Sequence, residues 1–293
     1  MEEKIYNNLL AFILIIFALE AIFFFVGDSK FKENEKLDGE RLQIIENTLN
    51  NTPILAKAVS IFNITKNEKI YLKNDETPLP MASLAKIMTV VMGLNGHNMD
   101  DIISVSPEAV KQAGDFGILA YEKWKIGDLA KFTLIVSAND GAYALSEQDP
   151  NFLENLNNKA KKIGAKNTLF INPTGLDIDT LQAGAFSSAE DVNAMAIYAI
   201  RAWPEIFRVT IMPEINLKSE SGFEHNFKNT DTLVEKIPNL LFSKTGFTDL
   251  AGGNLTIIFK DKRGDEVAIT LLGSTFDGRF SDMEKIVNVL YNI

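Results

Sequence analysis

Pro80-Met81-Ala82-Ser83-Leu84-Ala85-Lys86-Ile87-Met88 is the stretch on which the reading of this chain turns. A proline-marked turn delivers Ser83 to the start of an apolar, helix-like run, and Lys86 follows three residues later. Residues i and i+3 of a helix share a face, so the Ser83 hydroxyl and the Lys86 amine can meet. A serine hydroxyl is a weak nucleophile until a base takes its proton, and a desolvated lysine can be that base. The helix start adds backbone N–H groups aimed at incoming negative charge. The arrangement suits acyl transfer. Ser-x-x-Lys alone is a thin signal, expected by chance about once in a chain of this size. Ser29-Lys30-Phe31-Lys32 matches it too, in a charged stretch with no helical run behind it.

With 293 residues, 46% of them hydrophobic, the chain has material for one large domain or two packed lobes. Its net charge of −10 excludes nucleic-acid binding through a basic surface. The absence of cysteine removes disulfides, thiolate catalysis and cysteine zinc sites together. The two histidines, His97 and His225, fit no metal-ligand spacing and accompany no G-x-S-x-G elbow, so both read as surface or loop residues. No metal and no cofactor are expected.

Residues 1–8 form a short tail before Leu9–Val26, an 18-residue stretch that is apolar except for Glu20. As a helix it would span about 27 Å, near the hydrocarbon thickness of a bilayer. It is long for a signal-peptide apolar region and no small-x-small cleavage site follows, so it reads as an uncleaved membrane anchor. The flanking charges do not favour export: Lys4 precedes the segment, whereas Lys30, Lys32, Lys36 and Arg41 follow it. Residues 27–53 read as a polar spacer ending in a short helix, Arg41–Leu49, and residues 54–293 as the globular domain.

Ala56–Asn63 and Glu68–Leu72 flank a turn and predict a β-hairpin. Ser83–Leu94 predicts a buried helix stopped at Asn95-Gly96. Val105–Ala113, Ile126–Leu134 and Asn139–Glu147 predict helices or helix-flanking turns, and Asn151–Ile163 predicts a helix. Ser187 with Glu190 reads as a capping box opening a helix that runs to about Ala202. Beyond Pro204, Glu214–Lys218, Leu240–Thr245, Gly253–Lys260 and Glu266–Ser274 predict strands, and Asp282–Leu290 a closing amphipathic helix. The order implies a sheet lobe made from both ends of the domain, residues 54–82 and 205–293, with a mostly helical lobe, residues 83–204, inserted between.

Two further motifs, each occurring once, follow Ser83/Lys86 in the chain: Ser137-Ala138-Asn139 after an apolar run, and Lys244-Thr245-Gly246 on a predicted strand. Together the three form the motif set of active-site-serine penicillin-interacting enzymes. From about Ala56 to Tyr291 the chain resembles the D-alanyl-D-alanine carboxypeptidases of the low-molecular-mass penicillin-binding protein family (serine peptidase family S11). The resemblance extends through Ser137-Ala138-Asn139-Asp140-Gly141-Ala142, Phe170-Ile171-Asn172-Pro173-Thr174-Gly175-Leu176, Lys244-Thr245-Gly246-Phe247-Thr248, Ala251-Gly252-Gly253 and Arg279.

The resemblance implies an α/β (α+β) domain of the β-lactamase/transpeptidase-like kind, with a five-stranded antiparallel sheet flanked by helices and the helical lobe inserted. It implies that Ser83 attacks the penultimate D-Ala carbonyl of a peptidoglycan stem peptide and that Lys86 is its base. Ser137 would relay a proton to the leaving amine, and Asn139 would hold Lys86 and the substrate amide. Lys244 and Thr245 would bind the terminal carboxylate, beside Gly246. The N–H groups of Ser83 and Phe247 would form the oxyanion hole, worth about 3 kcal/mol per donor in other enzymes. β-Lactams would acylate the same serine, and the catalytic domain would stand outside the cytoplasmic membrane.

The chain departs from the family pattern at Ser243, where relatives commonly carry glycine, and at Asp231, where asparagine is frequent. The additional C-terminal domain and amphipathic anchor of many relatives are not expected in it. Other readings on the same fold are a D,D-endopeptidase, a β-lactamase and a non-enzymatic penicilloyl- or peptidoglycan-binding module. A class A β-lactamase needs a deacylating glutamate in Glu-x-x-Leu-Asn. Glu154-Asn155-Leu156-Asn157 is one residue short of that and too close to Ser137, and Asn172-Pro173-Thr174-Gly175 stands at the expected distance.

Overall fold

The structure, a computed structural model, describes residues 36–293. The expected anchor, Leu9–Val26, lies outside the described residues, as does the beginning of the expected spacer. Among the described residues no helix is long and apolar enough to cross a membrane. The chain divides after Thr48. The described part of the first unit is residues 36–48 and Ile293; residues 36–48 belong to helix α1, residues 36–50, which starts earlier than the expected Arg41–Leu49.

In the second unit, β1 (Ala58–Asn63) and β2 (Glu68–Lys73) form the expected hairpin. The short β3 (Leu79–Pro80) leads into a 3-10 turn, Ala82–Ala85, and helix α2 (Lys86–Gly93). A small hairpin, β4 (Ile102–Ser104) with β5 (Lys123–Lys125), precedes helices α3 (Ile126–Ile135), α4 (Asn139–Ser146) and α5 (Phe152–Lys162). Strands β6 (Leu169–Phe170) and β7 (Ala185–Ser187) join β3 in the order β3-β7-β6, and α6 (Ala189–Ala202) and α7 (Pro204–Phe207) follow. Hairpin β8 (Glu214–Lys218) with β9 (Glu224–Lys228) comes before the long strands β10 (Leu240–Thr248), β11 (Gly252–Lys260) and β12 (Glu266–Ser274), and α8 (Gly278–Asn292) closes the unit.

The main sheet is five-stranded and antiparallel, in the order β10-β11-β12-β1-β2, so strands from both ends of the unit zip together around β1. Strands β11 and β12 are buried along both alternations, which requires cover on both faces. Helices α6 and α8 pack against them. A polar seam joins α6 to the sheet: Asn193 Nδ2 donates to Ser60 O at 3.1 Å, and its Oδ1 accepts from Thr270 at 2.7 Å. These buried polar groups find partners in one another, as the low dielectric of a core demands. The apolar core runs on from this sheet through α2, α3 and α6, with Trp124 and Phe132 among its fully buried side chains.

One expectation is narrowed and two are corrected. Of helix or turn, Val105–Ala113 is the turn: Val105 bonds to Glu122 and Tyr121 across the β4–β5 hairpin, and a 3-10 turn follows at Ala109–Lys111, with Ala109 N donating to Ser106 Oγ. The α6 cap is Ser188, not Ser187, because β7 extends through Ser187 and Ser188 is the first residue free to turn, accepting from Asp191 N. Glu190 pairs instead with Lys69 at 2.9 Å. His225 is neither surface nor loop. It is buried on β9.

Asp282 ties α8 to the start of β1. Its fully buried carboxylate accepts from Leu55 N at 3.1 Å, Ala56 N at 2.9 Å and Ser274 Oγ at 2.8 Å. Asp282→Ala orphans these donors, and a loss of about 2–4 kcal/mol of unfolding free energy is expected. Urea denaturation of the two proteins checks it.

Candidate active site

Ser83 is presented by a strained turn. Its predecessor, Ala82, has φ 49, in the left-handed region that costs a residue with a Cβ about 1–3 kcal/mol. Surrounding contacts hold it there. Met81 N donates to Ala185 O at 3.1 Å, and Asn254 Nδ2, from the sheet, donates to Pro80 O at 3.1 Å. Two glycines allow the closest approaches. A Cβ on Gly175 (φ +76) would lie 2.0 Å from Ala82 O, and one on Gly246 would lie 3.3 Å from Ser83 N. Gly246 and Phe247 on the open edge of β10 are thereby set beside the Ser83 backbone.

Lys86 is wholly buried, with its amine at the centre of the site. Nζ lies 2.8 Å from Ser83 Oγ, 2.7 Å from Asn139 Oδ1 and 2.8 Å from Thr174 O. Burial first, then the nearby Lys244 charge, lowers its pKa well below the ordinary lysine range. A neutral amine has two N–H groups and one lone pair. Nζ donates to Asn139 Oδ1, Thr174 O and Ser83 Oγ when protonated; once the amine is neutral, two N–H groups serve Asn139 and Thr174 and a lone pair is left for the Ser83 hydroxyl. Asn139 is fixed in the required orientation because its Nδ2 donates to Ala113 O at 2.6 Å. Turned over, the amide would set oxygen against oxygen.

Ser137 faces the same space from the end of α3, half-buried and at φ 63. Lys244 Nζ reaches it at 2.9 Å and also donates to Thr245 O at 2.9 Å. Burial, and secondarily Arg279, push the Lys244 pKa down to about 7. The Thr245 hydroxyl meets Thr230 Oγ1 at 2.7 Å. Beneath the strand, Arg279 Nη1 donates to Gly246 O at 2.9 Å, with its guanidinium against the Phe276 and Phe280 rings. Phe247 is exposed and meets Phe276 edge to face at 5.0 Å. The structure thus gathers Ser83, Lys86, Ser137, Asn139, Lys244, Thr245, Gly246 and Phe247 at one place. Among the described residues no cluster of acidic or histidine side chains suits a metal ion.

A family model described as D-alanyl-D-alanine carboxypeptidase matches residues 45–275. The chain belongs to that family. It is 28% identical over 247 residues to the D-alanyl-D-alanine carboxypeptidase DacF of Bacillus subtilis, covering 81% of this chain and 62% of that protein. To the D-alanyl-D-alanine endopeptidase of Escherichia coli it is 27% identical, covering 70% and 67%. Penicillin-binding protein D2 of Listeria monocytogenes, solved in its ampicillin-bound form, superposes with a TM-score of 0.67 at 28% identity, over 81% of this chain and 98% of that one. The chain spans about three fifths of the length of the curated relatives it matches.

Ser243 and Asp231, the two positions at which the resemblance implies a departure, touch. The Ser243 hydroxyl donates to the buried Asp231 carboxylate in a very short bond, and burial pushes that carboxylate's pKa up. Glu154 is exposed on α5. In its place, the Asn172–Gly175 turn closes over Lys86. Asn172 Oδ1 accepts from Thr174 N and Gly175 N, and Pro173 O accepts from Thr89 at 2.6 Å. Contributions that residue type did not announce are the carbonyls of Thr174 and Ala113, the Thr230 hydroxyl and Asp177. Asp177 accepts from Thr248 Oγ1 and Leu250 N, bracing the turn against β10.

Gly175→Ala adds a methyl that cannot fit below Ala82 O and forces a left-handed residue to carry a Cβ. A loss of about 2 kcal/mol or more is expected, with Lys86 displaced from the Thr174 carbonyl. Denaturation read beside acylation of Ser83 checks both.

Proposed function

We propose that this protein is a serine-type D-alanyl-D-alanine carboxypeptidase that trims peptidoglycan stem peptides through an acyl-enzyme on Ser83 and is acylated there by β-lactams. The observation that carries the reading is the buried Lys86 amine, 2.8 Å from Ser83 Oγ with its other contacts taken by acceptors. Family membership supports it, as does the ampicillin-bound state of the Listeria relative.

In this mechanism the terminal carboxylate of the peptide rests on Lys244 and Thr245, which sets the penultimate carbonyl over Ser83. Ser83 gives its proton to neutral Lys86 as Oγ bonds to the carbonyl carbon. The oxyanion forms between the Ser83 and Phe247 N–H groups. Ser137, held by Lys244, passes a proton to the amine of the departing D-Ala as the C–N bond breaks, and recovers the proton that Lys86 took from Ser83, which leaves Lys86 neutral again. Water then attacks the ester carbonyl, giving its proton to Lys86, and as the bond to Oγ breaks Lys86 returns that proton to Ser83. Among the described residues no carboxylate hydrogen-bonds to Ser83 or Lys86; Asp140 turns its own to Gly141 N. Slow loss of a penicilloyl group follows, rather than β-lactamase turnover.

A second reading, D,D-endopeptidase, is favoured by the relatives that carry that name. For location, we propose an anchor at residues 9–26 with the catalytic domain outside the cytoplasmic membrane. The length of that apolar run and the place where stem peptides mature support it. A reporter fused after Ile293 tests this, and a signal confined to the cytoplasm would overturn it.

Intact mass after treatment with penicillin should show one stable adduct on wild type and none on Ser83→Ala. No adduct on wild type removes the serine from the mechanism. D-Ala release from a peptide ending in D-Ala-D-Ala, compared with cleavage of a cross-linked dimer, separates the two peptidase readings.

The pH profile follows from the two lysines. Acylation needs Lys86 without its proton and Lys244 with one. kcat/KM should therefore rise as Lys86 deprotonates, well below the ordinary lysine range, and fall as Lys244 loses its charge above about 7. In Lys244→Arg the side chain stays charged, so the alkaline limb should move upward at a lower maximal rate. An alkaline limb that stays in place would exclude Lys244 as its source.

A further inference from the structure

The mechanism above uses neither Glu122 nor His225, yet they form a buried pair beside it. His225 Nε2 lies 2.7 Å from Glu122 Oε1, and the two residues are 3% and 2% exposed. The His225 ring packs against Trp124 at 4.7 Å and Phe132 at 5.6 Å between centroids. A carboxylate so deep in apolar surroundings is costly without a partner, so each residue depends on the other.

The pair stands at one end of an irregular segment, residues 113–122, whose other end holds Asn139. Glu122 Oε2 accepts from Leu119 N at 2.8 Å, fixing the segment where it enters β5. At the opposite end Ala113 O takes the Asn139 amide. Between them Gly114 (φ 98), Gly117 (φ 72) and Tyr121 (φ 65) are left-handed. Backbone bonds hold the β5 end, where Tyr121 N donates to Val105 O and Glu122 O accepts from Val105 N. Strand β9 adds side-chain anchors, since Phe227 packs over Gly117 and His225 grips Glu122. The same strand runs on to Thr230, which holds the Thr245 hydroxyl.

We infer that Glu122 and His225 are positioning residues for acylation: their buried bond clamps residues 113–122 to β9 and, through Ala113 O, holds the Asn139 amide that orients Lys86. The inference rests on Ser83 being the acylated nucleophile. It assigns both sides of the cleft to one brace, with Asn139 on one and Thr245 on the other.

The test is a kinetic cycle on the full chain, with the second-order rate of penicillin adduct formation as readout and Tm alongside. Glu122→Ala and His225→Phe should slow acylation on the order of tenfold or more, the scale on which small misplacements of catalytic groups act. Glu122→Gln, which keeps a partner for His225, should recover most of the rate. In an Asn139→Ala background, Glu122→Ala should cost almost nothing further, because the group it positions is already gone. If Glu122→Ala does not fold, the milder His225→Gln is read in the same two backgrounds. An unchanged rate in a folded variant, or an equal loss in both backgrounds, overturns the inference. Absence of any adduct on wild type would instead show that the acylation reading had failed, and the inference with it.

Discussion

A lysine amine buried among three acceptors is the constraint on which the site depends. Lys86 needs a dry, apolar helix to lower its pKa, yet its nitrogen needs polar partners to be tolerated there. The structure meets both demands with one side-chain amide, one backbone carbonyl and the Ser83 hydroxyl, and among the described residues no carboxylate hydrogen-bonds to the amine. A carboxylate there would raise the amine's proton affinity, against the role of base proposed for it. Strain accompanies the arrangement: Ala82 and Ser137, each at the threshold of a helix, are both left-handed without being glycine. Such conformations persist only where their surroundings over-determine them.

Those surroundings are distant in sequence. The acceptors of Lys86 come from α4 and from the turn before β7, whereas Lys244 and Gly246 come from a strand more than a hundred residues after Ser83. Building the sheet from both ends of the unit is what closes that distance. Asn254, which bonds to both Pro80 O and Gly273 N, pins the Ser83 turn to two strands of that sheet. Gly246 then lets the edge of β10 lie against the Ser83 backbone, where any side chain would hold the two apart. Among the described residues no strand pairs with β10 on its other side, and Thr210 Oγ1 accepts from Ser243 N at 3.1 Å.

What was legible in the sequence follows from this division. Side chains with distinctive chemistry announced themselves: Ser83, Lys86, Ser137, Asn139 and Lys244 carry hydroxyl, amine or amide groups in short motifs, and the structure gathers them. The long apolar strands of the sheet were equally readable, since burial on both faces leaves a continuous hydrophobic run. Backbone contributions were silent, because the carbonyls of Thr174 and Ala113 belong to every residue type and matter only through the turns that aim them. Val105–Ala113 could be read as helix or turn, and pairing across β4 and β5, invisible in its composition, decided for the turn. His225 misled because its partner, Glu122, lies 103 residues away in sequence. Ser187 and Ser188 are chemically equivalent as caps, and only the end of β7 decides between them.

The two lysines are alike in burial and opposite in task, and the groups around them separate their behaviour. Lys86 feels Lys244 as a repelling charge, with only Asp140 to oppose it, and the Asp140 carboxyl is itself pushed up to about 6 by burial. Lys244 is lowered to about 7 mainly by burial, with Arg279 as a repelling charge adding to the shift and Asp231 as an attracting one opposing it. In the proposed reaction the substrate's terminal carboxylate removes that balance. Placed on Lys244, a negative charge raises its proton affinity, and Lys244 becomes fully cationic as the peptide binds. A full positive charge on Lys244 then favours the neutral form of Lys86, whose pKa it already depresses. The carboxylate that a carboxypeptidase must recognise would in this way also prepare the base that attacks beside it, coupling recognition to reaction through a single electrostatic link.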